Sequence, residues 1–160
     1  MIGTLLRVFV GFAAAALAAG LALVLHADPD ILTRGFGSND EMLGIADLAL
    51  KAATHIAIFA APFALIMAAI AEWQRARSPW FYILAGLAIA AGGFMAQHVS
   101  EDIGQSTVLN DYAVRAFGLA GVVAGLVYWV IAGRCAGGAE VAMVEAVPAG
   151  ERHQEPPKAK

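Results

Sequence analysis

The sequence predicts an all-α fold, an integral membrane four-helix antiparallel bundle, and two observations lead to it. The chain has 160 residues, of which 60% are hydrophobic and 14% are charged, whereas soluble domains carry about 25% charged residues. Four uncharged runs each approach the roughly 20 residues that a helix needs to cross a bilayer. The alternation of a membrane barrel is absent, and only helices otherwise satisfy the backbone in lipid. The runs are Val8–Leu25, Ala52–Ala71, Pro79–Ala96 and Ala116–Gly133.

These runs define a membrane domain over residues 1–134 and a tail over residues 135–160. The tail lacks a periodic apolar face and contains Gly137-Gly138 and Pro156-Pro157, a composition typical of disorder. We therefore predict a disordered cytoplasmic tail. The predicted spans cover residues 5–26, 45–73, 79–98 and 111–134, approximately.

The first run resembles a secretory signal, because Arg7 precedes an apolar stretch. The stretch exceeds the usual 7–15 residues or so, and Leu25 is a poor residue for position −3 of a cleavage site. We therefore expect the run to be retained as a span. It should end before Pro29, since proline disfavours helix in the residue that precedes it.

The second helix has a clear start signal but two possible layouts. Ser38 followed by Glu41 is typical of a capping box. From Asn39 to Trp73 the only strong breaker is Pro62, which should kink a helix. Either one long helix projects beyond the bilayer, or residues 39–50 form a separate interfacial helix. The third helix should begin at Pro79, with Ser78 as its cap.

Stripes of small residues at spacing four run along three of the predicted helices. Such stripes allow two helices to approach closely in a membrane. We interpret them as seams within the bundle, with a homodimer face as the alternative. The stripes are Gly11, Ala15 and Ala19; Ala88, Gly92 and Ala96; and Gly121 with Gly125.

The connectors differ in the sign of their charge. Residues 27–50 carry five carboxylates against Arg34, and residues 97–114 carry no lysine or arginine. Residues 72–79 carry Arg75 and Arg77 against Glu72, and the segment after Gly133 contains Arg134, Arg152, Lys158 and Lys160. Lysine and arginine in short loops mark the cytoplasmic side. We therefore predict a multi-pass protein of a bacterial inner membrane, with both termini and the 72–79 turn cytoplasmic.

Nearly all remaining polar residues fall at the outward ends of the spans, so that each helix contributes one or more of them. Asp47 with Lys51 and Asp111 with Arg115 have the spacing of ordinary helix-face ion pairs. Lysine and arginine near a helix end can also extend to the interface. These properties favour the interpretation that the polar residues are surface groups tolerated at the helix ends, rather than parts of a binding site. The residues are His26, Asp47, Lys51, His55, Gln97, His98, Asp111 and Arg115.

Two specific sites remain as alternatives. His55 and His98 lie at compatible depths for axial ligation of a haem, and a zinc site could use His26, His98 and Glu101 or Asp28, although HExxH and CxxC spacings are absent. Lys51, His55 and Arg115 could instead bind an acidic headgroup or a quinone carbonyl. The candidate cofactor residues are thus His26, His55 and His98, and the candidate anion-site residues are Lys51 and Arg115. The sequence predicts no catalytic residue and no metal site beyond these alternatives.

The function predicted from the sequence is that of a structural or accessory membrane subunit. The net charge of −3 argues against nucleic acid as a partner. With Cys135 as the single cysteine, an intrachain disulfide is impossible. Motifs such as GxSxG, Walker A and GxGxxG are missing, which favours a protein that is not an enzyme. We expect contact with the lipid bilayer and association, through alanine and glycine helix faces, with a larger complex or in a homo-oligomer. The alternatives are a redox subunit that binds haem or quinone, and a protein that handles lipid at the outward polar cluster.

Overall fold

The part of the chain that the structure describes is all-helical, and four of its helices are long and apolar enough to cross a membrane. The computed structural model describes residues 2–34, 37–99 and 111–136. Glu101, Asp102 and most of the predicted disordered tail lie outside the described residues. The helices are α1 (Ile2–Ala27), α2 (Asp30–Arg34), α3 (Asn39–Gln74), α4 (Pro79–Val99) and α5 (Asp111–Ile131), followed by a 3₁₀ helix at Gly133–Cys135.

The ends of the helices follow the local signals in the sequence. α1 ends at Ala27, before Pro29, and α4 begins at Pro79, as predicted. The Ser38 hydroxyl accepts a hydrogen bond from the Glu41 backbone N–H at 3.3 Å, which confirms the predicted cap of α3. α3 is one continuous helix of 36 residues that passes through Pro62. The first of the two layouts left open by the sequence is therefore the one that forms.

The long helices pack in the order α3, α1, α5, α4, and α3 touches α4 only sparsely. α1 meets α5 near Gly11, where an added Cβ would lie 2.9 Å from the Ala132 Cβ. At its other end α1 meets α3, because Gly20 lies against Ala53. Gly11 thus faces the end of α5, and Gly20, late in α1, faces the first half of α3.

The core consists almost wholly of alanine and glycine. Among the described residues, the buried apolar side chains are alanines except for Ile31 and Tyr82, and no polar or charged residue is buried. Large apolar side chains point outward instead, for example Phe9 at 70% exposure and Ile58 at 73%. This arrangement is the reverse of a soluble core. It is the arrangement expected where helices associate by close packing rather than by escape from water.

Glycine residues bring the backbones of α4 and α5 close together along their seam. A Cβ at Gly121 would lie 2.8 Å from the Gly86 carbonyl oxygen and 2.9 Å from the Ala90 Cβ, and Gly125 lies against the Tyr82 backbone. The predicted pair Gly121 and Gly125 therefore does form a packing seam, and both residues are buried.

The predicted stripe on α4 is not the one that packs. Ala88, Gly92 and Ala96 are exposed, and a Cβ at Gly92 would meet nothing within 4 Å. The prediction that this stripe seals the bundle is wrong. The spacing of four does place the three residues on one face of α4. A different face of α4, which includes Gly86 and Ala90, packs against α5.

The α4–α5 seam predicts a specific effect of adding one methyl group. Gly86→Ala should lower the free energy of unfolding by about 1–3 kcal/mol, because the Cβ would press on the Gly121 backbone. This loss should outweigh the gain in helix propensity, which favours alanine by roughly 0.5–1 kcal/mol. Unfolding in mild detergent, followed by circular dichroism, measures the change.

The matched control is Gly118→Ala, because a Cβ at Gly118 would meet nothing within 4 Å. Gly118→Ala should be neutral or slightly stabilising. Equal stability of the two variants would contradict the seam.

Candidate functional site

The end of the molecule that contains His26, the starts of α3 and α5 and the end of α4 is called the His26 end below. The His26 ring lies 4.8 Å from the Tyr112 ring, centroid to centroid, so His26 packs against the first turn of α5. The His26 Nε2 atom is buried and has no hydrogen-bond partner within the described part of the chain. His26, near the end of α1, therefore contacts α5 through the ring of Tyr112.

Lys51 and His55 make contacts within their own helix. The Lys51 ammonium pairs with Asp47 at 2.6 Å, and both side chains are more than half exposed, at 67% and 58%. His55 Nδ1 lies 2.8 Å from the Lys51 carbonyl oxygen, one turn back, and donates to it. Both contacts join residues four apart on an exposed helix face, which is the ordinary surface arrangement.

Arg115 behaves in the same way on α5. Its guanidinium lies 3.7 Å from the Asp111 carboxylate, with exposures of 75% and 96%. Among the described residues, no three of the His, Cys, Asp and Glu side chains are grouped so that they could hold a metal ion. Glu101 of the zinc alternative lies outside the described residues, and the haem pair His55 and His98 stays a prediction.

The opposite end of the molecule, called the Arg7 end, is formed by residues 2–10, 72–82 and 128–136. Arg7 lies in the second turn of α1 and forms an ion pair of 2.5 Å with Glu72 in the last turn of α3. Both side chains are largely covered, with exposures of 23% and 28%. Arg7 also donates a hydrogen bond of 2.9 Å to the Cys135 carbonyl. One side chain therefore joins α1, α3 and the 3₁₀ helix.

A second arginine at this end holds the same 3₁₀ segment from the α3–α4 turn. Arg77 Nε donates to the Ala136 carbonyl at 3.2 Å. In return, Trp129 Nε1 donates to the Arg77 carbonyl at 2.8 Å. The turn between α3 and α4 is thus fastened to the end of α5 from both sides.

The turn itself is closed by a Schellman motif. Arg75 takes a left-handed conformation with φ 52°, and the Ala76 N–H donates to the Ala71 carbonyl at 2.9 Å. Tyr82, buried at the start of α4, donates from its hydroxyl to the Ala76 carbonyl at 2.8 Å. The structure therefore joins all four long helices at the Arg7 end through polar contacts.

The sequence offered no signal for the Arg7–Glu72 pair. The two residues are 65 positions apart, so no helical spacing relates them. Each was interpreted singly, Arg7 as a possible signal-peptide charge and Glu72 as a connector residue. Only the knowledge that α1 packs beside α3 could have paired them.

A groove of about 200 Å³ runs between α3 and α4, where the two helices touch sparsely. Phe59 of α3 forms part of its wall. The Phe59 ring also approaches α4, since a Cβ at Gly93 would lie 3.3 Å from it. The lining is wholly apolar and consists of Phe59, Phe63, Ile66, Met67, Ala85, Ala88, Ile89 and Gly92.

The described residues thus define the class of the protein by four apolar helices, each long enough to cross a membrane, and by a core of alanine and glycine. Comparison with protein-family models, with curated proteins and with solved structures gives no match.

The Arg7–Glu72 pair predicts a strong energetic coupling. Arg7→Met or Glu72→Met alone should lower the free energy of unfolding by about 1–3 kcal/mol, because each leaves a partly covered charge without its partner. The double variant should lose less than the two single losses combined, with a coupling of about 0.5–3 kcal/mol. Unfolding of all four proteins in mild detergent measures it.

The control cycle uses Asp47→Asn and Lys51→Met, whose side chains are mostly exposed. Exposed pairs of this spacing contribute about 0.3–0.5 kcal/mol. If the coupling energy between Arg7 and Glu72 is as small as the one between Asp47 and Lys51, the pair has no structural role.

Proposed function

We propose that this protein is an antiparallel four-helix bundle of the bacterial inner membrane, with both termini and the 72–79 turn on the cytoplasmic side. The exposed large apolar side chains on all four long helices support insertion, because such a surface is stable in lipid and not in water. The order of contacts supports the antiparallel arrangement, because Arg7 early in α1 pairs with Glu72 late in α3 and Gly11 lies near Tyr128 late in α5. The arginines at the Arg7 end support its cytoplasmic placement.

Within the membrane, we propose a structural or accessory role as a subunit that packs against a helix of another membrane protein. One observation carries this proposal: α4 has a face that the described part of the chain leaves uncovered. In the most apolar stretch of α4 only 6% of residues are buried, against 33% in α1. The exposed stripe of Ala88, Gly92 and Ala96 lies on that face.

The form of the face favours a helix as the occupant. Small residues at spacing four let a second helix come close enough for its backbone and side chains to make van der Waals contact. The neighbouring groove accepts the larger side chains of such a helix, since its Ala88 and Gly92 lining belongs to the same stripe. The groove has no polar side chain to anchor a haem or quinone headgroup, so its chemistry favours packing over cofactor binding.

The proposed topology predicts the reactivity of the single cysteine. Cys135 is exposed at the Arg7 end, so a membrane-impermeant maleimide should label it in inverted membrane vesicles and leave it unlabelled in intact spheroplasts. The control is Cys135→Ser with Thr33→Cys, which moves the thiol to α2 near the His26 end. That variant should show the reverse pattern, and labelling of Cys135 from outside would refute the orientation.

If a partner helix binds the exposed face of α4, a bulky side chain on that face should reduce the amount of partner that is recovered. Gly92→Leu should reduce the partner recovered by affinity purification about tenfold, the equivalent of about 1.4 kcal/mol, because leucine would hold the second helix away. Gly118→Leu is the control, since a side chain there also meets nothing within 4 Å but lies on α5. Quantitative mass spectrometry of both purifications measures the ratio.

The same face can be tested by contact. A photo-crosslinking residue at position 92 should link the protein whose recovery Gly92→Leu reduces, and the same residue at position 118 should not. Purification of the unchanged chain as a monomer without a partner from native membranes would contradict the proposal.

A further inference from the structure

The Arg7 end carries a second feature besides the ion pair of Arg7 with Glu72. Arg77 and Arg134 are both held around Trp129, and the three residues are called the arginine–tryptophan patch here. The Arg134 guanidinium lies 5.9 Å from the centre of the Trp129 ring, and the Trp129 indole N–H donates to the Arg77 carbonyl. Both arginine side chains remain exposed.

Hydrogen bonds fix the position of each guanidinium in this patch. Arg77 Nε donates to the Ala136 carbonyl at 3.2 Å, and Arg134 Nε donates to the Val130 carbonyl at 2.8 Å. A bond at Nε orients the planar group and restricts its rotation, which lowers the entropy lost when the group binds a ligand. Planar guanidinium groups that are held in place match the oxygen atoms of a phosphate.

The charge around the patch is positive. The described residues of the Arg7 end include four arginines, at positions 7, 75, 77 and 134, against the carboxylate of Glu72, a net of +3. Glu72 is bound by Arg7. An anionic ligand would therefore meet a field of favourable sign.

Two tryptophans place the patch at the level of lipid headgroups. Trp73 and Trp80 stand on either side of the α3–α4 turn and are 85% and 70% exposed. Tryptophan prefers the boundary between acyl chains and headgroups. The patch, which is joined to the same turn through Arg77, then lies where the phosphates of the cytoplasmic leaflet lie.

We propose that the arginine–tryptophan patch binds the phosphodiester of an anionic phospholipid in preference to a zwitterionic one. This proposal rests on the insertion of the bundle in a membrane and is independent of the partner face on α4. The charge selects the anionic lipid, since the positive end of a zwitterionic headgroup would be repelled by the same arginines. Free phosphate has the same chemistry but lacks the acyl chains that would contact Trp73 and Trp80.

The tryptophans provide the readout, because all three of them, at positions 73, 80 and 129, lie at the Arg7 end. The full chain is reconstituted in phosphatidylcholine vesicles that contain a fixed fraction of phosphatidylglycerol. One lipid or the other carries bromine near its headgroup, and bromine quenches tryptophan on contact. Brominated phosphatidylglycerol should quench more strongly than brominated phosphatidylcholine at the same mole fraction, and added salt should reduce the difference.

The key variant is Arg77→Gln with Arg134→Gln. Each arginine near an anionic surface contributes about 1 kcal/mol, so the relative association constant for phosphatidylglycerol should fall about fivefold for each substitution, or about 25-fold for both. Arg115→Gln removes the same charge at the His26 end and should leave the preference unchanged. Excess soluble glycerol phosphate should not displace the lipid.

A second variant separates charge from structure. Arg77→Lys with Arg134→Lys loses the two Nε hydrogen bonds and the planar groups but keeps both charges, so it should retain more of the preference for phosphatidylglycerol than the glutamine variant and less than the unchanged protein. If the lysine and glutamine variants lose the preference equally, the effect is structural and the proposal fails.

The other outcomes of the quenching experiment distinguish the lipid preference from membrane insertion and from a soluble ligand. Equal quenching by the two brominated lipids overturns the lipid preference while it supports insertion. Absence of quenching by either lipid overturns insertion itself, and with it the proposed membrane bundle. Displacement by glycerol phosphate would replace the lipid by a soluble phosphate ester as the ligand.

Discussion

The fold depends on the close approach of helix backbones, which is possible only where both helices lack bulky side chains. Gly86 and Gly121 meet backbone to backbone, and Gly20 meets α3 in a similar way. In the proposed membrane placement there is no hydrophobic gain when two apolar helices meet, so the stabilisation would come from dense van der Waals contact. Each close contact is weak by itself, and many of them are needed along a seam. Alanine and glycine therefore occupy the core, and the large apolar side chains are left for the outer surface.

This constraint also determines where polar contacts can form. Once the seams fix the helices in depth and rotation, the second turn of α1 lies beside the last turn of α3, and Arg7 can reach Glu72. The hydrogen bonds from Arg7 and Arg77 to the carbonyls of Cys135 and Ala136 depend on the same alignment. The two ends of the molecule differ as a result. At the Arg7 end the polar contacts join different elements, whereas those of Lys51, His55 and Arg115 at the His26 end stay within one helix.

Local signals in the sequence predicted the elements well, because each depends on a few adjacent residues. The stop before Pro29, the cap at Ser38 and the start at Pro79 are of this kind. The choice of seam could not be predicted so well. A spacing of four predicts that residues share a helix face, but it does not say which face meets a neighbour. Gly121 and Gly125 pack, whereas Ala88, Gly92 and Ala96 do not. The Arg7–Glu72 pair depends on that same information about neighbours, and it was missed for the same reason.

The length of α3 accounts for the polar residues that first stand out in the sequence. At about 1.5 Å per residue, its 36 residues extend about 54 Å, well beyond a hydrocarbon core of roughly 30 Å. In the proposed placement the end of α3 lies at the cytoplasmic headgroups, because Trp73 anchors there. About 20 residues cross the core from that point, so the opposite boundary falls near Lys51. Lys51 and His55 then lie at the edge of the membrane rather than inside it. Their bonds to Asp47 and to the Lys51 carbonyl are sufficient to satisfy them, and a bound cofactor is not needed to explain their presence.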